Sequence, residues 1–447
     1  MIRRLCALAA LMFVLTACGL IPGGAPQTPA GAAPTATEPA PTLYAPHTPT
    51  VPAAGSEALP DEEAPLVLTV WTAEDLSPLN DTPGGQALLE QFTTFDQRFP
   101  DIRVDIYIKR ASGAGSTLAY LRSAPSVAPA ILPDLALLDR EALAQAASEG
   151  LVVPIDTLID PTLLEDMYPV ALEMGAVDGK LVGLPYVLQV QHSVYRETLF
   201  QEPPSSFATV LSSPVPFVFP AGTLGNVNRT TLLQYMAAGG VLVDEDGAPH
   251  LDSAALASVL NFYAAGRERG VIDTALFQIA DFNDSWALYR SRQAGFAAVS
   301  SLNYLSERSE VRNTGVTWTP TPDGGPFTLA TGWVWVVTTQ DPDHQAAAMS
   351  LLNFLMNPVN LGTYTQASGW LPSQAGALAV WGDTDSYTAI GGVLLENAVL
   401  LPDLAVRAAP GEAIQDAVEA VLLNGVSPFQ AANEAAQKVN PPNSSAP

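Results

Sequence analysis

The sequence predicts an α/β fold with a mainly parallel sheet, and three consecutive segments support this prediction. Residues 66–71 (LVLTVW) form a nearly continuous apolar run, which is typical of a strand buried on both faces. Apolar side chains then recur at helical spacing over residues 88–99, and Pro100 ends that pattern. Residues 102–108 alternate between apolar and polar side chains, as a second strand does. An alternation of strand, helix and strand favours a parallel sheet covered by helices.

A second unit of the same kind follows along the chain. Residues 134–138 (DLALL) predict another buried strand, and residues 140–148 predict a helix that Gly150 ends. In open parallel sheets, ligands bind beyond the carboxyl ends of the strands. Polar residues that directly follow a predicted strand are therefore the first candidates for a binding site.

The composition excludes several classes of function. The 447 residues include 45 acidic and 19 basic side chains, so the formal net charge is −26. Phosphate backbones would repel such an acidic chain, and we therefore expect no nucleic-acid partner. The two cysteines and four histidines lack the spacing of a zinc site, and no nucleophile elbow, Walker loop or dinucleotide-binding motif occurs. We expect no metal, no cofactor and no enzyme activity.

The first residues predict export from the cytoplasm. Two arginines precede an apolar run that is shorter than the roughly 20 residues needed to span a bilayer. The run ends in LTAC at 15–18, which resembles the lipobox of bacterial lipoproteins and implies a signal peptide at 1–18 and lipidation of Cys18. The alternative is a small-residue cleavage site with an incidental cysteine. Residues 19–64 are rich in Pro, Ala and Thr and predict a disordered tether.

The rest of the chain resembles a known family over most of its length. Several motifs occur in the order found in the extracellular solute-binding proteins, family 1, of ABC importers, a family that includes maltodextrin binders. They are LTVW at 68–71, FDQRFPDIRV at 95–104, LPDL at 132–135, GLPY at 183–186 and SGWLP at 368–372. The resemblance implies a two-lobe, periplasmic-binding-protein-like fold of type II. Each lobe would be a mainly parallel sheet flanked by helices, and a hinge would join the lobes.

The resemblance also implies that the chain passes between the lobes three times, so that both lobes are discontinuous in sequence. The crossings are expected near 189–193, 330–334 and 371–373. The expected division is 65–189 and 334–371 for the first lobe, 193–330 and 373–439 for the second lobe, and 440–447 for a disordered tail.

Two groups of candidate ligand-binding residues follow predicted strands of the first lobe. Trp71, Glu74 and Asp75 lie at the end of the first strand, and Asp139 follows the strand at 134–138. Carboxylate oxygens at these positions can accept hydrogen bonds from hydroxyl groups of a ligand. The alternatives are a solvated loop for the first group and a helix N-cap for Asp139.

The resemblance adds candidates at the hinge and in the second lobe. Gln189 occupies the position of a polar hinge residue that reaches the solute, and Gln191 lies on the same strand face. Trp333 and Tyr304 are expected to stack against sugar rings, whose C–H faces are apolar. The remaining expected ligand-binding residues are Ser300 and Asn303, whereas Asn226, Asn228 and Arg229 either bind from the other side or form a plain loop.

Together these features predict a binding protein that captures a small solute, expected to be a carbohydrate, by hinge closure and delivers it to the permease of an ABC importer. We expect a monomer, lipid-anchored through Cys18 to the outer face of the bacterial cell membrane. A non-sugar solute and a sensory receptor remain alternatives. A cell-surface glycoside hydrolase would need two carboxylates facing each other across the cleft, a role that Glu74 and Asp139 could fill.

Overall fold

The computed structural model describes residues 65–127, 131–223 and 226–440. The predicted signal peptide, Cys18, the tether and the tail beyond Asn440 lie outside the described residues. The strands are β1 (Leu66–Ala73), β2 (Ile102–Lys109), β3 (Leu135–Asp139), β4 (Ala176–Val177), β5 (Lys180–Leu181), β6 (Leu184–Arg196), β7 (Phe217–Val218), β8 (Phe296–Ser300), β9 (Thr314–Thr317), β10 (Thr328–Val337), β11 (Leu371–Pro372) and β12 (Ala398–Leu400). The helices are α1 (Pro83–Arg98), α2 (Thr117–Val127), α3 (Arg140–Ser148), α4 (Pro169–Gly175), α5 (Phe207–Leu211), α6 (Arg229–Ala237), α7 (Ser253–Glu268), α8 (Phe282–Arg290), α9 (Ser301–Glu307), α10 (Pro342–Leu355), α11 (Pro358–Ser368), α12 (Ala375–Ala379), α13 (Thr388–Glu396), α14 (Leu404–Leu422) and α15 (Pro428–Val439).

The first βα unit forms where local chemistry favours it. Leu68 and Val70 of β1 are fully buried, because β1 lies between two strands and beneath helices. Helix α1 begins after Thr82, whose side chain accepts a hydrogen bond from the Gly85 N–H at 3.1 Å. Pro83 occupies the first helical position, where no intrahelical N–H donor is needed.

The larger sheet runs in the order β2-β1-β3-β10-β6-β8-β7. β1 pairs in parallel with β2 and β3, and β7 pairs in parallel with β8. The long strands β6 and β10 run antiparallel to each other and to their outer neighbours. Parallel strands thus form the outer part of each half of the sheet, and an antiparallel pair joins the two halves.

Strand β6 contributes to both halves. Up to Val190 it pairs with β10, and from Gln191 onward it pairs with β8. At this change of partner, Thr328 of β10 is hydrogen-bonded twice to Gln191: its Oγ1 accepts from the N–H at 3.0 Å and donates to the carbonyl at 2.6 Å. Any rotation of one half against the other must therefore bend the two long strands near these residues.

Separate clusters of buried side chains stabilise the two halves. In the first, Phe95 and Trp335 pack with helices α10 and α11. In the second, Phe219 and Tyr263 pack with α14 and α15. We call these halves the first and second lobe. A third cluster lies on the other face of the sheet and includes residues of both lobes.

The segment after β11 packs first against the first lobe. The Tyr168 N–H donates to the Ser373 carbonyl at 3.0 Å, and the Ala375 N–H donates to the Asp166 carbonyl at 2.9 Å. Strand β12 then pairs with β10, and α14 packs against α7 and α15 of the second lobe. Residues 373–375 thus contact the first lobe, and the chain packs against the helices of the second lobe after β12.

The predicted α/β fold class is confirmed, with helices covering a sheet that two lobes share. The antiparallel strands β6 and β10 were not anticipated, because an apolar run carries no information on the direction of its neighbour. Within the described ranges, no helix combines the length and the apolar character needed to cross a membrane.

Candidate ligand-binding site

A polar cavity lies where the two lobes meet. It consists of two adjoining parts of about 430 and 220 Å³, which we together call the interlobe cavity. Both parts are lined by Gln189, Arg229, Thr331, Leu401 and Arg407. Further polar residues of the larger part are Gln191, Thr223, Asn226, Asn228, Asp281, Asn283, Ser300 and Asn303, and those of the smaller part are Asp139, Arg140, Glu141 and Asp403.

The two glutamines reach this cavity from β6, at the point where that strand passes between the lobes. Their spacing of two residues places both side chains on one face of the strand. Gln191 is only 5% exposed, and within the described residues its Oε1 atom has no hydrogen-bond partner. A buried acceptor without a partner is costly, typically about 1–3 kcal/mol. A hydroxyl group of a bound solute would satisfy this atom.

A short hydrogen-bonded chain forms the wall in the second lobe. The Ser300 hydroxyl is the N-cap of α9, accepting from the Asn303 N–H at 3.1 Å and donating to Asn303 Oδ1 at 2.7 Å. Asn303 Nδ2 then donates to Asn283 Oδ1 at 2.8 Å. This chain fixes the orientation of the amide groups, so that their unused hydrogen-bonding positions face the cavity.

Two arginines enter the cavity from different helices. Arg229 is the first residue of α6, directly after the N-cap Asn228. Arg407 lies in α14, and its Nε donates to the Pro402 carbonyl at 3.0 Å. Removal from water, together with the charge of Arg407, lowers the pKa of the Arg229 guanidinium. In the described parts of the chain, neither arginine forms a salt bridge.

Asp139 is a helix N-cap that also lines the cavity. Its Oδ1 accepts from the Ala142 N–H at 2.8 Å, so Asp139 is the N-cap of α3. It also lines the smaller part of the cavity, on the side of the first lobe. Burial raises the pKa of its carboxyl group, and hydrogen bonds from the backbone of Ala142 and Glu141 offset part of this shift.

The structure places the expected tryptophans away from this cavity. Trp71 is only 1% exposed, because the ammonium group of Lys109 lies 4.3 Å from its ring centroid and Tyr120 packs edge-on against it. Trp333 is 8% exposed and lines a different cavity, which is bounded by the first lobe. Neither ring lines the interlobe cavity itself, although the cavity that Trp333 lines shares Asp139 and Glu141 with it.

Tyr304, Glu74 and Asp75 also lie outside the interlobe cavity. Tyr304 is buried between His192 and Tyr387, with ring centroids at 5.7 Å in both pairs. Glu74 and Asp75 are exposed in the 3₁₀ turn after β1. Of the ten expected binding residues, the structure therefore brings together Asp139, Gln189, Gln191, Ser300 and Asn303.

Arg407, Asn283 and Phe282 line the cavity but were not predicted. Arg407 lies within a long amphipathic helix, where an arginine is ordinarily a solvated side chain. Asn283 and Phe282 begin a helix after Asp281, a pattern that indicates only an N-cap. In the described ranges, no group of three or more His, Cys, Asp or Glu side chains could hold a metal ion.

Two α/β lobes that share crossing strands around a polar cavity define a solute-binding protein fold. Residues 90–390 match the family model of the bacterial extracellular solute-binding proteins, and the chain belongs to this family. The resemblance drawn from the sequence motifs is thereby confirmed. No curated protein matches the chain.

Solved structures show the same fold. The cyclic α-maltosyl-1,6-maltose binding protein from Arthrobacter globiformis is 20% identical, with a TM-score of 0.67 over 84% of this chain and 98% of that one. The sugar-binding protein MalE from Xanthomonas citri is 18% identical, with a TM-score of 0.66 over 83% and 96%. An extracellular solute-binding protein family 1 from Alicyclobacillus acidocaldarius is 19% identical, with a TM-score of 0.64 over 85% and 99%. At these identities the likeness establishes the fold.

Proposed function

We propose that this protein captures a carbohydrate in the interlobe cavity, outside the cytoplasm, and passes it to the permease of an ABC importer. The observation that carries the proposal is the buried Oε1 of Gln191, an acceptor without a partner at the strand crossing. A sugar carries many hydroxyl groups, each of which can donate a hydrogen bond to such an acceptor. Two of the structural neighbours are a cyclic α-maltosyl-1,6-maltose binding protein and a sugar-binding protein.

The cavity wall has the hydrogen-bonding chemistry that a polyol requires. Amide groups of Gln189, Asn228 and Asn303 offer both donors and acceptors, and the arginines add donors only. The Phe282 ring lies at the same wall and offers an apolar face. Such a mixture of many polar groups with little apolar surface favours a hydroxylated solute over a hydrophobic one.

Binding would couple to movement of the lobes because both lobes contribute to the wall. Asp139 projects from the first lobe, whereas Arg229 and Asn303 belong to the second. A solute that contacts both sides stabilises the arrangement in which the sides are close. The closed arrangement is the form that we propose the permease to recognise.

The proposed anchor is the lipid on Cys18. This assignment depends on the LTAC motif at 15–18. Residues 19–64 would separate the folded lobes from the membrane as a proline-rich tether, and the protein would act as a monomer.

The test is isothermal titration calorimetry of the exported chain, from residue 19 onward, against a panel of mono- and oligosaccharides. At least one sugar should bind and be recovered unchanged when the bound material is analysed by chromatography. An Asn303→Ala variant should bind that sugar about tenfold more weakly, since it loses a fixed hydrogen-bonding group. An Asn397→Ala variant, altered outside the cavity, should bind like the unmodified chain. Binding of none of the sugars, or their hydrolysis, would contradict the proposal.

A further inference from the structure

We propose that the solute carries an oxyanion, a carboxylate or a phosphate, which Arg229 and Arg407 bind together. This inference rests on the proposed function and narrows its substrate class from carbohydrates in general to acidic or phosphorylated sugars.

Two cationic side chains line one cavity of a strongly acidic protein. The chain has 45 acidic and 19 basic side chains, yet Arg229 and Arg407 line the same cavity. Other arginines of the described chain, such as Arg122, Arg290 and Arg308, form salt bridges with carboxylates. The positive charge of Arg407 disfavours the charged form of Arg229, and an anion bound by both arginines would offset this repulsion.

Arg229 lies at the start of α6. This helix has nine residues, and its positive dipole end faces the cavity at the N-cap Asn228. A helix N-terminus favours anions but is not a site by itself. Gln191 lines the same cavity and is 5% exposed, and its Oε1 has no partner among the described residues, which indicates independently that a ligand belongs there.

Four carboxylates line the same cavity, those of Asp139, Glu141, Asp281 and Asp403, but within the described ranges none of them forms a salt bridge with Arg229 or Arg407. Asp281 accepts hydrogen bonds from the Asn283 and Asp284 N–H groups as the N-cap of α8. Asp139 caps α3 in the same way. Apart from the Arg407 Nε, which donates to the Pro402 carbonyl, the two guanidinium groups can bind a planar carboxylate or a phosphate of the solute.

The experiment compares matched neutral and anionic sugars on the exported full chain. Calorimetric titrations would use glucose, glucuronate and glucose 6-phosphate, together with galactose and galacturonate. We expect an anionic member to bind about tenfold more tightly than its neutral counterpart at low ionic strength, because its hydrogen bonds to arginine are charge-assisted. Raising the salt concentration should reduce this preference. Glucuronate or galacturonate as the tighter ligand identifies a carboxylate, and glucose 6-phosphate identifies a phosphate.

The variants assign the preference to the two arginines. Arg407→Gln and Arg229→Gln should each weaken binding of the anionic sugar far more than binding of its neutral counterpart, and so remove most of the preference for the anion. Arg103→Gln is the matched control, because Arg103 is an exposed residue of the first lobe paired with Asp105, and it should leave the preference intact. If a variant fails to fold, the comparison of sugars on the unmodified chain still decides the question.

Three outcomes would overturn the inference, and they can be told apart. Neutral sugars that bind as tightly as their acids would defeat it while leaving carbohydrate binding in place. A folded protein that binds no sugar of either kind would defeat the proposed function as well. A preference for anions that Arg407→Gln and Arg229→Gln both retain would also defeat the assignment of the site.

Discussion

Gln191 holds a buried amide oxygen at the junction of the lobes, and no described residue is its hydrogen-bond partner. A leucine at this position would avoid the cost of an unsatisfied acceptor, so the glutamine lowers the stability of the folded protein. Gln374 provides a comparison, since it is 3% exposed and also has an Oε1 without a partner, but it does not line the interlobe cavity. Variants of the two residues can therefore distinguish the effect of burying an unsatisfied amide from the effect of losing a contact with the solute.

Replacing Gln191 with leucine should lower the affinity for the solute about tenfold, because a hydrogen bond to the solute is lost. The free energy of unfolding should not fall, because an unsatisfied acceptor is removed at the same time. Calorimetry and urea denaturation measure the two quantities. The control Gln374→Leu should leave the affinity unchanged, and an equal loss of affinity in both variants would contradict the assignment of Gln191.

His192 is a second residue whose environment has a measurable consequence. It is fully buried, and desolvation lowers its pKa from 6.5 to about 4, with a smaller opposing effect from the Ser193 carbonyl. The unfolded chain therefore binds a proton near pH 6.5, while the folded protein does not do so until about pH 4. Stability from this group is intact above pH 6.5 and is lost progressively as the pH falls toward 4.

Between pH 7 and pH 4.5 this difference should cost about 2 kcal/mol of unfolding free energy. A His192→Leu variant should lack that part of the acid destabilisation, whereas a His250→Leu variant should keep it. Urea denaturation at several pH values measures the effect. Identical pH profiles for the unmodified chain and His192→Leu would exclude a buried neutral imidazole.

At the scale of elements, the lobes are joined by more than the strands β6 and β10. Arg308 follows α9 in the second lobe, and Asp385 lies between α12 and α13, which pack against the first lobe. Their side chains form two parallel hydrogen bonds at 2.6 and 2.5 Å, and the Asp385 side chain is 8% exposed. Beside them, Tyr304 stacks on Tyr387 at 5.7 Å. These contacts couple the lobes outside the interlobe cavity.

Replacing Asp385 with asparagine should lower the free energy of unfolding by about 3 kcal/mol, since it leaves a partly buried guanidinium without its partner. The matched control is Asp105→Asn, which breaks an exposed pair with Arg103 and should cost less than about 1 kcal/mol. Urea denaturation compares the two variants. Equal and small effects would show that the Arg308–Asp385 pair does not stabilise the junction.

At the scale of the whole molecule, the cavity wall is divided between lobes that have separate cores. Each lobe has a core of its own beside the cluster that both lobes share, so the lobes can rotate while β6 and β10 bend and the shared cluster repacks. A solute that contacts both walls would favour the compact arrangement.

Small-angle X-ray scattering should therefore show a smaller radius of gyration when the exported chain is saturated with its solute. The Gln191→Leu variant should require a higher solute concentration for the same change. A radius that stays constant at saturation, confirmed by calorimetry on the same sample, would contradict closure of the lobes.

The sequence by itself determined the local elements, the family and part of the site. Apolar periodicity located β1, α1 and β2, because burial selects side chains at the spacing of each element. Gln189, Gln191, Ser300 and Asn303 could be anticipated, because they lie where predicted strands end or cross. The position of a polar residue relative to a strand end is a local property that the chain itself encodes.

Only the tertiary structure decided which neighbouring side chains face the cavity. Asn303 and Tyr304 are adjacent in α9, yet successive helical residues point about 100° apart, so Asn303 lines the cavity while Tyr304 is buried. A tyrosine ring fits equally well in a hydrophobic core and on a sugar-binding wall, and the local sequence does not distinguish these two environments. Arg229 and Arg407 are far apart in the chain, and packing of α6 and α14 alone brings their charges to one cavity. Long-range packing therefore decided the electrostatics of the site, because no local pattern records which charges will meet.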